Sequence, residues 1–564
     1  MRRSLHGRRD AQTLIRAAKK SSLVQSFILC TISPRNATHE ANAATTDQFL
    51  FFRSRSVKSS FGLCLLGMFL VAPNSLRATT YYVNSQTGND SNSGVSSARP
   101  WKSLEKVNGT RFSAGDRVLL HSGSRWQGQL VLHSSGTQGH PIVVDRYGAG
   151  PLPRIDGSGK IENTLQLVNV EQIEVRHLEL TNHGPASAER RAVLIALSDF
   201  GTAHHIVVAD LYIHDVNGTN KLKETGGILF RTMGTSRPSR FDGLFIERNI
   251  VWKVDRSAIV GQSNEVLRTK WFPSLHVVIR DNYVDDIGGD GIVPWATDGA
   301  LIEGNIALHC NRRAESYNAG IWPWSTDNSL FELNEAAYTH STQDGEGFDS
   351  DFNSRNTHFL YNYSHDNDGG FMLICTPVKR NRNENAGNTG TVIEYNISHD
   401  DHSLIFNLSG ADDTTVVHNA IYTGSRDDVQ LLVVSDWDGW ARGAVFRSNI
   451  FDVAGTGRFG HALRRNPDGS YAIGPGWGGA EDIRFQGNKY FGHNVDIPHD
   501  SSAVVKKHYQ PPNLGWAEPV FDPAHPEDFP AYLKKHRQWM LQLFTAQFGD
   551  RPHLIAPQPL SRVK

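Results

Sequence analysis
From about residue 160 the chain repeats one short pattern of apolar and polar positions. A short apolar strand runs into an Asn, a second short strand follows, then a polar turn, then a strand opening on Gly and an apolar residue. Examples are LFIERNIVWKVDRSAIV, VVIRDNYVDDIGGDGIVPW, ALIEGNIALHC with NAGIWPW, THFLYNYSHDNDGGFMLI and TVIEYNISHDDHSLIFNL. The marker asparagines are Asn249, Asn282, Asn305, Asn334, Asn362, Asn396, Asn419 and Asn449, at intervals of 33, 23, 29, 28, 34, 23 and 30 residues. Irregular repeats of this length, β-patterned and almost without helical periodicity, predict one coil per repeat of a parallel β-solenoid. A β-sandwich is the alternative, but it has no reason to repeat its Asn. Stacked coils lie about 4.8 Å apart, so an Asn at the same place in each coil can hydrogen-bond its neighbours above and below. The uneven spacing reports loops of different length on one side, where binding surfaces usually sit.

The flanks differ. TTYYVNSQTGNDSNSG, WKSLEKVN and FSAGDRVLLHSG read as a strand, a loop, a short helix and another strand. After residue 515, EDFPAYLKKHRQWMLQLFTAQFG places Phe529, Leu533, Trp539, Met540, Leu543, Phe544 and Phe548 near helical spacing, with Pro530 in the first turn and Gly549 as a stop. A solenoid needs its open strands covered, and this helix is expected to be a cap. At the other end, SFGLCLLGMFLV at 60–71 suits a signal-peptide core and is too short to span a membrane. The expected division is a leader over 1–56, a signal peptide over 57–78, a β-helix catalytic domain over 79–512 and a helical cap and tail over 513–564. A transit peptide is the alternative reading of the leader. Export implies a secreted or periplasmic protein, expected to be a monomer.

Composition narrows the function. The 564 residues carry a net charge of −1, which excludes a strongly basic nucleic-acid footprint. Fifty-one Gly and 12 Trp in a polar, turn-rich chain suit sugar stacking, although core Trp is the commoner use. Cys30 and Cys64 fall in the leader, so the mature chain keeps Cys310 and Cys375, which read as buried thiols rather than a disulfide framework.

The repeat over roughly 79–500, with the YYVNSQTGNDSNSG, WKSLEKVN and GDRVLL opening, resembles the right-handed parallel β-helix (pectin lyase-like) superfamily of secreted carbohydrate-active enzymes. That resemblance implies an all-β fold with an N-terminal cap, and it hosts lyases, hydrolases, epimerases and binding proteins alike.

The candidate chemistry lies between Asp344 and Ile374. Six acids fall in those 31 positions: Asp344, Glu346, Asp349, Asp351, Asp366 and Asp368. So many carboxylates cannot all be buried unpaired, and must face water, a cation or a substrate. Aligning GGDGIVPW, NAGIWPW, GEGFDSD and DGGFMLI with Ile292, Ile321, Phe348 and Phe371 inward sends Val293, Trp322, Asp349 and Met372 outward. The next outward row is Trp295, Trp324, Asp351 and Ile374. One face would then carry indoles beside paired carboxylates, as glycosidic hydrolysis requires. GEGFDSD followed by NDGGFMLI also resembles the paired strand motifs of polygalacturonases. By that resemblance Glu346 and Asp368 take the acid positions, with Gly369 where a second Asp would stand. Glu346, Asp368, Asp349 and Asp351 are thus the catalytic candidates, and Trp295, Trp322, Trp324, Asp290, His365, Lys379 and Arg380 the substrate-binding ones.

The reading is a polysaccharide- or oligosaccharide-degrading glycoside hydrolase without a cofactor. One alternative is a uronate lyase or epimerase using Ca²⁺ held by Asp344, Asp349, Asp351 and Asp366, with Lys379 or Arg380 as base. The other is a noncatalytic glycan-binding β-helix.

Overall fold
The computed structural model describes residues 78–549 apart from 315–316, 341–342, 377–386, 426, 438, 468–470, 508–511, 513 and 516. The leader, the signal-peptide segment and the loop carrying Lys379 and Arg380 lie outside the described residues. The chain winds as a parallel β-helix in which each coil contributes one strand to each of three sheets in turn. The first sheet runs from Thr80–Val83 to Arg484–Gln486 and the second from Arg125–Gln127 to Val504–Lys506. The third is split into two six-stranded blocks, one ending at Ile292–Val293 and the other starting at Glu346–Ser350.

Period-two alternation sends one side chain of each pair inward, where equivalent residues stack coil upon coil. In the first sheet Val175, Val208, Ile246, Ile279, Ile302, Phe331 and Phe359 pair in successive register and are all buried. Such a column loses its apolar surface to its own neighbours, so the fold needs no second layer.

The repeated Asn forms the expected ladder, inside the turn between the first and second sheets. Asn249 donates its backbone N–H and Nδ2 to Asn282 Oδ1, both at 3.0 Å, and each later marker repeats the pattern down to Asn449. Asn488 continues it, and Asp500 ends it by accepting from Asn488 at 2.9 and 3.0 Å. The residue before each of these asparagines is left-handed, including Leu333, Tyr361, Tyr395 and His418 with φ between 53° and 56°. That conformation costs a side-chain-bearing residue about 1–2 kcal/mol. The ladder bonds, buried and repeated, offset it at every turn.

The third sheet is interrupted where the chain reads IVPW and IWPW. Pro294 and Pro323 have no N–H to give the ladder, which explains why only isolated bridges join Ile292, Ile321 and Phe348. The following strands, Trp295–Asp298 and Trp324–Asp327, pair with each other and bend away toward the first sheet. Cys310 and Cys375 are buried free thiols, as expected.

The C-terminal helix Phe529–Phe548 is present, and the cover it provides is lateral. Trp539, Met540, Leu543 and Phe544 pack on Leu333, Tyr361, Tyr363, Ile397 and Tyr422, on the outer side of the second sheet. Phe529 and Tyr532 pack on Tyr212, Ile250, Tyr283 and Ile306 of earlier coils. The short N-terminal helix Leu104–Asn108 is capped by Ser103 Oγ, which accepts from Lys106 N–H at 3.1 Å. Among the described residues no helix is long and apolar enough to cross a membrane.

Replacing Asn334 with Ala strips the acceptor from Asn305 N–H and Nδ2 and the donor from Ile302 O. Those groups stay buried, so we expect a loss of about 2–5 kcal/mol, measured by urea unfolding followed by Trp fluorescence.

Candidate active site
The strand Glu346–Ser350 is buried throughout, and Gly345 before it, at φ 120°, turns the chain sharply into it. Its partner is Gly370–Cys375, with Glu346 opposite Gly370, Phe348 opposite Met372 and Asp349 opposite Leu373. The alignment expected from sequence was one residue out, because it matched Gly347-Phe348 to Gly370-Phe371. In the true register Asp351 neighbours Cys375, whose Sγ–H donates to Asp351 Oδ1 at 3.2 Å.

Four carboxyls converge here. Glu346, Asp349 and Asp351 are only 3%, 4% and 8% exposed, whereas Asp344 is half-buried near the exposed Tyr317. Burial, then the charge of Asp351, pushes Asp344 up to about 7. Burial likewise raises Asp351 to about 7, against the opposing hydrogen bonds from Cys375 Sγ–H and Phe352 N–H. Asp349 is driven well above the carboxylate range by burial and by Asp351, Glu346 and Asp344, and Glu346 by burial and Asp344. Burial and crowding therefore favour the protonated form of Glu346 and Asp349, while Asp344 and Asp351 titrate near neutrality. Among the described residues Glu346 Oε2 and Asp349 Oδ1 are buried without a hydrogen-bond partner, as is Trp295 Nε1. Such groups cost about 1–3 kcal/mol each unless a ligand completes them.

One cationic anchor balances the acids. Lys223 Nζ lies 2.8 Å from Asp290 Oδ2 and 2.7 Å from Tyr317 O, and 4.8 Å from the Trp322 ring centre. Arg256 adds a contact of 3.1 Å to Asp290 Oδ2, and Trp322 Nε1 donates to Asp290 Oδ1 at 3.0 Å. Against the upward push of burial, Lys223 and Arg256 hold Asp290 below the usual carboxylate range.

The indoles form a wall. Trp295 stacks on Trp324 at 5.0 Å and Trp324 on Phe352 at 4.8 Å, one aromatic per coil. Stacked this way they spend their faces on one another and offer edges outward. With Leu194, Leu229, Val260, Val293 and Trp322 they cover the outer side of the third sheet up to the carboxyls.

Several expected positions are corrected. Asp368 sits in the turn before Gly370, with side-chain exposure of 46% and its carboxyl 2.7 Å from His340 Nδ1, and it is not among the groups acting on the four acids. The Glu346/Asp368 pair implied by the polygalacturonase resemblance is not formed. Asp290 is wholly buried and held by Lys223, Arg256 and Trp322, so its carboxylate is already paired within the wall. His365 points to the C-terminal helix, bonded to Glu335 at 3.0 Å and Asp366 at 2.9 Å, so neither His365 nor Asp366 shares the cluster. The Ca²⁺ set of Asp344, Asp349, Asp351 and Asp366 is thereby broken. What stands with Asp349 and Asp351 within 4.8 Å is the Cys375 thiol, a soft donor unsuited to Ca²⁺. Lys223, Arg256 and Cys375 were missed from sequence. Lys223 lies in a turn two coils earlier, with nothing local to mark it.

The fold and site together define a parallel β-helix protein with a carboxyl cluster set in the outer wall of one sheet. Its particular likenesses are to two lacto-N-biosidases. The chain is 30% identical over 482 residues to lacto-N-biosidase of Bifidobacterium longum subsp. longum, covering 67% of this chain and 29% of that protein. The chain thus spans under a third of the length of that relative. The crystal structure of GH136 lacto-N-biosidase from Eubacterium ramulus is similar with a TM-score of 0.53 and 26% identity, over 64% of this chain and 66% of that one. Its selenomethionine form gives a TM-score of 0.54 and 24% identity, over 74% and 68%. No protein-family model matches the chain.

The carboxyl of Asp351 has a pKa of about 7 in the folded protein against an ordinary value of 3.8. The folded state therefore holds the proton more tightly, and its stability falls as pH rises from about 4 to about 7. Asp351→Asn removes that share of the fall. Its melting temperature should exceed that of the natural protein by several degrees at pH 8 and by much less at pH 4, read by circular dichroism.

Proposed function
We propose that the protein is a glycoside hydrolase of the lacto-N-biosidase kind, acting on oligosaccharides outside the cytoplasm. The observation that carries this is the Asp344–Asp351 pair, two carboxyls of one cluster each raised to about 7. Near neutral pH two such groups can supply one acid and one carboxylate.

The roles divide by environment. Among the described residues no side chain hydrogen-bonds the Asp344 carboxyl, and it is only half-buried, free to protonate the glycosidic oxygen of a leaving group. Asp351 is fixed by Phe352 N–H at 2.5 Å and Cys375 Sγ–H at 3.2 Å, which favour the ionised form and aim it at the anomeric carbon. As the bond to the leaving oxygen breaks, positive charge grows on the sugar ring, and the Asp351 carboxylate stabilises it. Protonated Glu346 and Asp349 can donate hydrogen bonds to sugar hydroxyls. The indole edges and the apolar stripe beside them exclude water from the far side of the ring. A water molecule then bonds to the anomeric carbon and gives a proton to the Asp344 carboxylate, which restores the acid.

The similarity to the lacto-N-biosidases supports this reading, and so does the donor chemistry of the site: the Cys375 thiol beside Asp349 and Asp351 is ill suited to Ca²⁺, and among the described residues no free cationic base stands there. Lys223 and Arg256 are both committed to Asp290.

A panel of oligosaccharides and uronate polymers, read for new reducing ends and for unsaturated products with and without chelator, tests the proposal. Reducing ends without unsaturation, indifferent to chelator, are expected. Chelator-sensitive unsaturation sinks it in favour of a lyase, and binding without cleavage sinks it in favour of a lectin-like module. Asp344→Asn and Asp351→Asn should each lower kcat by about 10²–10⁴-fold with the β-sheet circular dichroism spectrum unchanged. kcat/KM of the natural protein should follow a bell centred near pH 7.

A further inference from the structure
A second ionisable cluster lies away from the carboxyl site, between the second sheet and the C-terminal helix. Glu335 begins the strand Glu335–Ala337, and His365 ends the strand Tyr363–His365 one coil later, opposite Ala337. Glu518 belongs to the segment entering the helix, and His536 to the helix itself. Side-chain exposure is 2% for Glu335, 4% for His365 and 5% for His536. His365 Nε2 is 3.0 Å from Glu335 Oε1 and 3.4 Å from Glu518 Oε2. His536 Nε2 meets the other oxygen of Glu335. Among the described residues no Lys or Arg is paired to any of the four.

Proton bookkeeping makes this cluster unusual. His365 Nδ1 faces Asp366 Oδ2 at 2.9 Å, which places a proton on Nδ1. Neutral His365 would then turn the bare lone pair of Nε2 toward two carboxylates, a repulsive arrangement. The contacts make sense only if a cation sits at Nε2, either a second proton or a metal ion. The geometry suits the metal: tetrahedral ligands at about 2.0–2.1 Å stand about 3.3–3.4 Å apart, close to the observed separations. One ligand atom each from Glu335, His365 and Glu518 lie within 4.8 Å of one another. A carboxylate holding the far nitrogen of the ligating His is the usual outer support of such a site.

We propose that Glu335, His365 and Glu518, with His536 on the second oxygen of Glu335, bind one divalent transition-metal ion of the zinc type that fastens the C-terminal helix to the β-helix. Imidazole with carboxylate suits zinc-like ions better than Ca²⁺ or Mg²⁺. The ion would replace at least one imidazole proton and neutralise the buried carboxylates. It would join four segments of the chain, two coils of the sheet, the entering segment and, through Glu335, the helix, that otherwise meet through apolar contacts and ion pairs. This inference is independent of the hydrolytic reading, because the cluster and the carboxyl site share no residue.

Chelator-treated full-length protein is titrated with Zn²⁺ alone by calorimetry, in two buffers of different protonation enthalpy, and its thermal unfolding is followed by circular dichroism. One ion per chain, release of protons and a rise in melting temperature are expected. His365→Gln and Glu518→Gln should each weaken uptake by at least about tenfold. Glu518→Gln alters a partly exposed residue outside the sheet and should keep the native spectrum, so its result does not depend on a folding defect. Failure of the natural protein to take up one ion, or uptake undiminished in both variants, overturns the site and leaves a clamp of two protonated histidines.

Discussion
The structure depends on a backbone strain and the side-chain bond that answers it. Every coil turns from the first sheet to the second through a left-handed residue, and most of those are Leu, Tyr, His, Arg, Asp or Ser rather than Gly. Such a turn is poor in isolation. It becomes favourable when the next residue is an Asn whose amide gives to one coil and accepts from the other, because each bond is buried and each depends on the coil beside it. The turn therefore belongs to the stack and not to the local sequence. Solenoid repeats stabilise one another in this way, with terms between neighbours outweighing those within a repeat.

A scaffold of that rigidity lets the carboxyl site hold an arrangement that water would dissolve. Four acids lie together, and among the described residues the cations near them, Lys223 and Arg256, are both bound to Asp290. Like charges so close resist ionising together, so all four titrate above the usual carboxylate range, Asp344 and Asp351 near 7. The destabilisation this entails is borne by apolar columns beneath and by the Asn ladder, neither of which touches the reaction. Pro294 and Pro323 contribute by what they lack. Without their N–H groups the third sheet opens for one coil, and the strands after it bend so that Trp295, Trp324 and Phe352 stack into a wall beside the acids.

The lateral helix shows a different use of the same scaffold. Its aromatic face covers the outer side of the second sheet across several coils, and its one buried histidine meets Glu335 within that sheet. The acids on the two sides of the β-helix thus have opposite surroundings. Under the helix, His536 and His365 face Glu335, and Glu518 and Asp366 also face His365, so each acid there has a basic partner. At the open wall, acids face acids and their pKa values rise.

The sequence by itself determined the coil. The spacing of Asn249 through Asn449, the period-two strands and the helix after residue 515 were all legible, because each is a local pattern repeated until it could not be chance. The acid-rich stretch from Asp344 was legible as well, since unpaired carboxylates at that density demand an explanation. Register and partnership were decided only in three dimensions. Matching Gly-Phe with Gly-Phe placed Asp349 one residue out, because Gly370 adopts φ 127° and the chain enters the strand a residue later than its sequence twin. Asp368, His365 and Asp366 looked like members of one site, yet they sit on the turn and outer face of the second sheet, where His340 and the C-terminal helix claim them. Lys223, 67 residues before Asp290, could be found only once the coils were stacked. Local patterns set which residues point in or out, while long-range packing sets which of the outward ones meet.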